Sequence, residues 1–265
     1  MQPSDGVVWI SGASSGIGAA VAMEMAERGW KVAISARSSK KLDKIAALHQ
    51  NINAFACDVT DREGMSQTAQ KIETEIGSLA MIIANAGIYL PTYFPEFDVS
   101  IFDESFDVNL TGTVNMIAAA YPFMIARKKG QIVLVSSVAG YNGLPTSAAY
   151  GATKAALLNM GEAMAVDLAK YGLSVNMVAP GFIDTPATQK NTFHMPALMD
   201  VTKAAKVMID GLEKNHTLIT FPKRFTFWLR LLTSLANYTL LNVWNIFSTG
   251  KPNLLMVATL LIALL

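Results

Sequence analysis

Tyr150 and Lys154 stand four positions apart in Tyr150-Gly151-Ala152-Thr153-Lys154. If that stretch is helical, phenol and ammonium lie on one face and can point into one site. A free phenol titrates near pH 10, too high for a good base near neutrality. A neighbouring cation favours the phenolate, so the pair has the makings of a proton donor and acceptor. The spacing alone also fits a surface contact. Ser137 lies just past an apolar run, where a hydroxyl could hold an oxygen on which negative charge builds. Asn109, in Phe106-Asp107-Val108-Asn109-Leu110, precedes a long helical pattern. It reads either as a helix cap or as a further polar group of the same site.

A second group of residues has the chemistry of phosphate binding. Ser11-Gly12-Ala13-Ser14-Ser15-Gly16-Ile17-Gly18 falls between the first apolar run and the first helical pattern. Small residues let a diphosphate approach the backbone, and the helix N-terminus offers free N–H groups and a positive dipole end. Glycine also serves turns, but this placement is that of a dinucleotide loop. NAD-binding chains of this build carry an acid at the end of the second strand. Here that end reads Ser35-Ala36-Arg37-Ser38-Ser39-Lys40, and Arg37 offers a fork of N–H donors to a 2′-phosphate. The residues therefore favour NADP(H) over NAD(H), a solvated basic turn being the other reading of Arg37. Asp58, after the third strand, suits either an adenine amino group or a turn. Asn85-Ala86-Gly87 ends the fourth strand with small residues that let backbone pass close to a ligand.

These groups need elements to position them. Nearly continuous apolar runs at Val7–Ser11, Lys31–Ala36, Asn53–Cys57, Leu79–Ala84, Gln131–Ser136, Ser174–Ala179 and Thr217–Thr220 read as strands. Between them, helical patterns cover Gly16–Arg28, Lys40–His49, Arg62–Ile76, Thr111–Arg127, Ser147–Tyr171 and Thr202–Lys214. Continuous apolar strands are those of a parallel sheet covered on both faces. Strand–helix alternation then predicts an α/β fold, a doubly wound parallel sheet of Rossmann type. The expected division is a cofactor-binding and catalytic domain over 1–222, followed by a hydrophobic helical C-terminal extension over 223–265.

Composition excludes several classes. Formal net charge is +1, from 21 basic and 20 acidic residues without long runs of one sign, so nucleic acid is not an expected partner. The lone Cys57 cannot form an internal disulfide and reads as a buried small hydrophobe. No metal-ligand spacing is visible. The short polar N-terminus lacks the basic and apolar regions of a signal peptide. The expected setting is intracellular, in the cytoplasm or at the cytoplasmic face of a membrane.

Together these motifs resemble the short-chain dehydrogenase/reductase family and its Asn-Ser-Tyr-Lys tetrad. The resemblance rests on Ser11-Gly12-x-x-x-Gly16-Ile17-Gly18, Asn85-Ala86-Gly87, Asn109, Ser137, Tyr150-x-x-x-Lys154 and Pro180-Gly181, in that order. Ser11 departs from the family's usual threonine but keeps the hydroxyl. The resemblance implies a nicotinamide-dependent enzyme interconverting a carbonyl and an alcohol. Tyr150 would be the acid in reduction and the base in oxidation. Lys154 would lower the Tyr150 pKa and hold the nicotinamide ribose, Ser137 would orient the substrate oxygen, and Asn109 would hold a relay water. Asp58 would meet adenine, Asn85 the ribose region, and Pro180, Gly181, Ile183 and Thr185 the nicotinamide. A homo-oligomer is also implied.

Two segments bear on what is acted upon, and where. The loop Asp184–Val201 holds Phe193, His194, Met195, Pro196, Leu198 and Met199, which suits a small, lipid-like substrate or a lid closing on itself. The stretch Phe225–Phe247 is apolar, with Arg230, Ser234 and Asn237 recurring at helical spacing, and Leu254–Leu265 is apolar but short. Three readings stand for this tail: an in-plane membrane helix or docking surface, a subunit interface or internal packing, and a transmembrane anchor. Competing functions are a non-catalytic NADP(H)-binding regulator and a membrane-associated scaffold. A complete Asn109, Ser137, Tyr150 and Lys154 set is more than a pure binder needs.

Overall fold

The computed structural model describes residues 1–190 and 195–231. Phe193, His194 and the tail sequence from 232 onward lie outside them. The chain divides into two compact units, Met1–Pro222 and Lys223–Leu265. In the second, residues 223–231 are helical. Among the described residues, no helix is long and apolar enough to cross a membrane.

In the first unit the strands are β1 (Val7–Ser11), β2 (Lys31–Ala36), β3 (Ile52–Ala56), β4 (Leu79–Ala84), β5 (Gly130–Val135), β6 (Leu173–Pro180) and β7 (Leu218–Phe221). They form one parallel sheet in the order β3-β2-β1-β4-β5-β6-β7. The helices are α1 (Gly16–Glu27), α2 (Ser39–Ala46), α3 (Arg62–Lys71), α4 (Val99–Phe106), α5 (Gly112–Arg127), α6 (Ala148–Ala169) and α7 (Val201–Glu213). The doubly wound α/β architecture is the one the sequence predicts.

Alternation within each strand divides the core in two. Val8, Ile10, Val32, Ile34, Met81, Ile83, Val133 and Val135 pack with Val21 and Met25 of α1, Leu42 of α2 and Met208 of α7. Their neighbours Val7, Trp9, Ala33, Ile82, Ala84, Ile132 and Leu134 face Met65 of α3 and Met116 and Met124 of α5. Successive strand side chains point to opposite faces, so both faces must be apolar when both are covered. Full burial of each large aliphatic side chain contributes about 1.5–3 kcal/mol. Trp9 keeps its indole N–H satisfied by donating to Ser35 Oγ at 3.0 Å.

The strand order reverses between β1 and β4. Their carboxyl ends therefore diverge into opposite connections and leave a crevice there. Helix starts are fixed locally: Asp61 accepts from Gly64 N–H to cap α3, Asp98 from Ser100 N–H to cap α4, and Asp200 from Lys203 N–H to cap α7.

One part of the sequence reading is corrected. Helix α4 was not expected. A π turn over Asp107–Thr111 joins it to α5, so the helical run extends from Val99 to Arg127. Asn109 is consequently inside a helix and fully buried, not at a cap.

At the amino edge of the sheet, β5 and β6 are tied by polar groups rather than apolar ones. Gln131 Nε2 donates to Asn176 Oδ1 at 2.8 Å and to the Leu212 carbonyl at 3.1 Å. Asn176 Nδ2 donates to the His216 carbonyl at 2.9 Å and to Asn215 Oδ1 at 3.1 Å. Both amide side chains are almost fully buried. Removing one leaves the other's polar atoms without partners in a low-dielectric setting. Asn176→Ala is expected to cost about 1–3 kcal/mol, read as a lower urea midpoint at an unchanged m-value. Dinucleotide affinity of the folded protein should not change, because the network lies at the far end of the strands.

Candidate functional site

The glycine loop folds tightly because its backbone demands it. Gly12 has φ +67°, and a Cβ there would stand 2.7 Å from the Ala86 Cα. Gly16 has φ +59°, and a Cβ there would come 3.4 Å from Thr185 Cγ2. Ser11 Oγ accepts from the Asn85 and Ala86 N–H groups at 3.2 and 3.1 Å. Asn85 Nδ2 donates back to the Ser11 and Gly12 carbonyls at 3.0 and 3.3 Å. The amide of Asn85 thus fastens the ends of β1 and β4 together. Ser15 begins α1 in an extended conformation without a side-chain cap, which leaves first-turn N–H groups for a ligand. A tight glycine turn leading into a helix N-terminus without a side-chain cap fits a dinucleotide diphosphate.

Beside it, Arg37, Cys57, Asp58, Asp61 and Lys71 line an open depression of about 440 Å³. Arg37 is exposed at the end of β2. Asp58 Oδ1 accepts from Thr60 N–H and Oγ1, both at 2.9 Å, so this aspartate shapes a turn as well as the groove. Cys57 is only half-buried, against the expectation of a buried side chain, and burial still pushes its thiol up. On the other flank, Gly181 N–H donates to the Phe221 carbonyl at 2.8 Å. Ile183 pairs with Met199 in an isolated parallel bridge. Pro180, Gly181, Ile183 and Thr185 therefore continue β6 towards the glycine loop.

The four polar candidates converge on the carboxyl ends of β4 and β5. Lys154 is buried in the first turns of α6, and its ammonium donates to the Val135 carbonyl at 2.9 Å. It lies 5.5 Å from the Tyr150 ring centroid. A Cβ on Gly87 would come 3.3 Å from Lys154 Nζ and 3.2 Å from Asn109 Oδ1. Asn109 Oδ1 accepts from Ile88 N–H at 2.7 Å, and its Nδ2 donates to the Ile88 carbonyl at 3.0 Å. Ser137 caps a short 3₁₀ turn and accepts from Ala139 N–H at 3.2 Å. That bond uses an acceptor site of the hydroxyl and leaves its O–H to donate.

Two residues of the cluster escaped the sequence reading. Thr153 Oγ1 accepts from Asn109 Nδ2 at 3.2 Å and donates to the Tyr150 carbonyl at 2.7 Å, linking the two. Ser136 Oγ donates to the Lys154 carbonyl at 2.7 Å and fastens α6 to the end of β5. Their only sequence signal is a hydroxyl beside each expected site residue.

The proton affinities differ from the simple expectation. Burial pushes the Tyr150 phenol above its ordinary value, with the hydrogen bond from Ser137 pulling it down less strongly. Lys154 does not lower it in this geometry. Its ammonium donates to the Val135 carbonyl, and burial brings Lys154 itself down from 10.5 to about 8. Desolvation drives both groups towards neutrality.

A stability test follows. Between pH 8 and 10.5 the unfolded chain keeps the Lys154 proton and the folded chain releases it. The unfolded state binds more protons in that window, so stability rises with pH. Relative to Lys154→Met, the wild type should gain up to about 3 kcal/mol across the window and change little below it. Urea melts of the two proteins over that range check this.

The chain matches the family model for short chain dehydrogenase over residues 6–195. An uncharacterized oxidoreductase of Myxococcus xanthus is 32% identical over 232 residues, 86% of this chain and 92% of that protein. One from Staphylococcus saprophyticus is 30% identical over 219 residues, 81% of this chain and 94% of that one. Among solved structures, a short-chain dehydrogenase from Streptomyces avermitilis superposes with TM-score 0.80 at 26% identity, over 94% of this chain and 99% of that one. ElxO with NADP bound gives TM-score 0.75 at 29% identity, over 82% of this chain and 96% of that one. With the parallel sheet and the crevice cluster already in place, these matches make the chain a member of the short-chain dehydrogenase/reductase family, and an oxidoreductase.

Proposed function

We propose that this protein is an NADP(H)-dependent reductase that converts a carbonyl of a predominantly apolar small molecule to an alcohol, with Tyr150 as the proton donor. The observation that carries this is the convergence of a phenol, a hydroxyl and a buried ammonium at the sheet's carboxyl edge. A reductase needs a proton to give, and a neutral phenol beside an ammonium that can stabilise the phenolate left behind supplies one.

The nicotinamide, when bound, supplies the hydride, and the chain's own residues manage the oxygen and its proton. Ser137, with its oxygen engaged by Ala139 N–H and its hydroxyl beside the Tyr150 phenol, would turn its O–H to the substrate oxygen when a substrate is bound. Tyr150 gives that oxygen a proton as charge develops on it. The phenolate left behind faces the Lys154 ammonium, still largely protonated at neutral pH. Lys154 would also hold the ribose hydroxyls beside the nicotinamide. Asn109, through Thr153, fixes the backbone of Tyr150 and, as the family resemblance implies, holds a relay water.

Preference for NADP(H) over NAD(H) rests on Arg37 and Lys71. Both line the depression beyond β2, where a 2′-phosphate would sit. The NADP bound by ElxO supports the same choice. Asp58 would meet the adenine, Asn85 would order the loop under the diphosphate, and Ile183 and Thr185 would cover the nicotinamide. The apolar substrate is inferred from the loop after β6, where Leu198 is exposed and Met199 packs at the core's edge. Exposed Val114 on α5 and Val166 on α6 suit contact with a second copy. The apolar sequence within 223–265 is the basis for proposing a separate C-terminal extension that docks on a membrane surface or a partner.

The test is NADPH oxidation with a panel of small and lipid-like ketones. Tyr150→Phe should lose about 10²–10⁴-fold in kcat. Equal turnover by both proteins would refute the role of Tyr150. Arg37→Ala should raise the KM for NADPH about tenfold or more and leave that for NADH unchanged, since only NADPH carries the phosphate that its guanidinium would hold.

A further inference from the structure

Tyr150 has an aromatic neighbour that the proposed chemistry does not use. The Tyr89 ring packs against it at a centroid distance of 5.4 Å and an interplanar angle of 79°. Tyr89 belongs to the connection between β4 and α4, and its hydroxyl is 2.8 Å from Thr146 Oγ1. Thr146 also accepts from Thr92 N–H on the same connection, at 2.8 Å through its backbone carbonyl. It therefore clips that connection twice to the segment that leads into α6.

Thr146 has φ +58°. A β-branched residue in the left-handed region is a steric outlier, held there only by its surroundings. Glycine would suit that backbone better, but it has no side chain to make this bond to Tyr89. The strained residue stands one turn before Tyr150 and just ahead of the α6 N-cap, Ser147. Strain of this kind gathers where geometry serves function.

We infer that Tyr89, anchored by Thr146, is a positioning residue that fixes the ring orientation of Tyr150 for proton delivery. An edge-on aromatic contact limits rotation of the Tyr150 ring, and the Thr146 bond limits movement of Tyr89 in turn. The Tyr89 ring also covers one side of the Tyr150 ring, and burial is the main cause that pushes the Tyr150 phenol up. The inference rests on Tyr150 as the proton donor, but its geometry can be tested without turnover.

The experiment uses the full chain in five forms: wild type, Tyr89→Phe, Tyr89→Ala, Thr146→Gly and Thr146→Ser. With [¹³Cζ]tyrosine labelling, the Tyr150 resonance is identified by its loss in Tyr150→Phe, and its titration midpoint is followed in each form. The midpoint should fall in Tyr89→Ala and move less in Tyr89→Phe, which keeps the ring. In NADPH-driven reduction of the best ketone of the panel, kcat should fall about ten- to a hundredfold in Tyr89→Ala, as misplacement of a reacting group does. The KM for NADPH should hold. Thr146→Gly should lose part of kcat although its backbone is relaxed, and Thr146→Ser, which keeps the hydroxyl, should restore it. An unmoved Tyr150 midpoint in Tyr89→Ala, or full kcat in both Tyr89→Ala and Thr146→Gly, would overturn the inference. Retained turnover in Tyr150→Phe would instead overturn the proposed role of Tyr150 and leave the resonance test standing.

Discussion

A buried ammonium has few ways to exist in a protein, and the bond from Lys154 to the Val135 carbonyl is the one used here. Taking a cation out of water is costly unless an oxygen meets it. That need fixes the last residue of β5 relative to the first turns of α6. Ser136 strengthens the joint by donating to the Lys154 carbonyl. The surrounding chain must then come close. A Cβ on Gly140 would stand 2.8 Å from the Lys154 carbonyl carbon, and one on Gly87 would crowd its ammonium. Small residues at the ends of β4 and after β5 thus follow from where the ammonium sits.

The same burial sets the chemistry. Coulombic attraction between a phenolate and an ammonium would stabilise both charges, and desolvation would disfavour both. In this geometry desolvation wins: the phenol is pushed up and the amine down. The balance turns on distance. An ammonium that already donates to a carbonyl does not outweigh burial while the phenol is neutral. The phenol is therefore neutral until charge develops on an oxygen bound beside it, and the ammonium is in place for the phenolate that then forms.

The sequence made the strands legible because a parallel sheet covered on both faces tolerates hardly any polar residue within a strand. β1, β2 and β4 begin and end where their apolar runs do. The glycine loop was legible because its backbone excludes side chains at Gly12. Helix α4 was not, although Asp98 and Ser100 form a capping pair at its start. Its exposed Val99 and Phe106 blur the amphipathic period, and the π turn then shifts the register into α5. That shift is also why Asn109 reads as a cap in one dimension and proves to be a buried strut in three. Thr153 and Ser136 were invisible for another reason. Their partners are backbone carbonyls and a distant amide, and such contacts leave no pattern in sequence.

β5 and β6 divide two tasks along their length. At their amino ends, the Gln131 amide nitrogen bonds Asn176 and the end of α7, and the Asn176 amide nitrogen bonds the His216 carbonyl. Every one of these bonds is internal to the fold, although Gln131 Oε1 is buried without a partner among the described residues. At their carboxyl ends, Ser137 and Lys154 make just enough internal bonds to be held in place and keep donors for something else. Both ends are polar and both are covered by helices, so burial alone does not tell stability from chemistry. The direction of the strands does. In a parallel sheet the chain returns over one edge and departs from the other, and departing connections diverge at the reversal between β1 and β4. Polar groups at the closed edge have only each other to bond. The same kinds of group at the open edge face a crevice, and what they keep in reserve is available to a ligand.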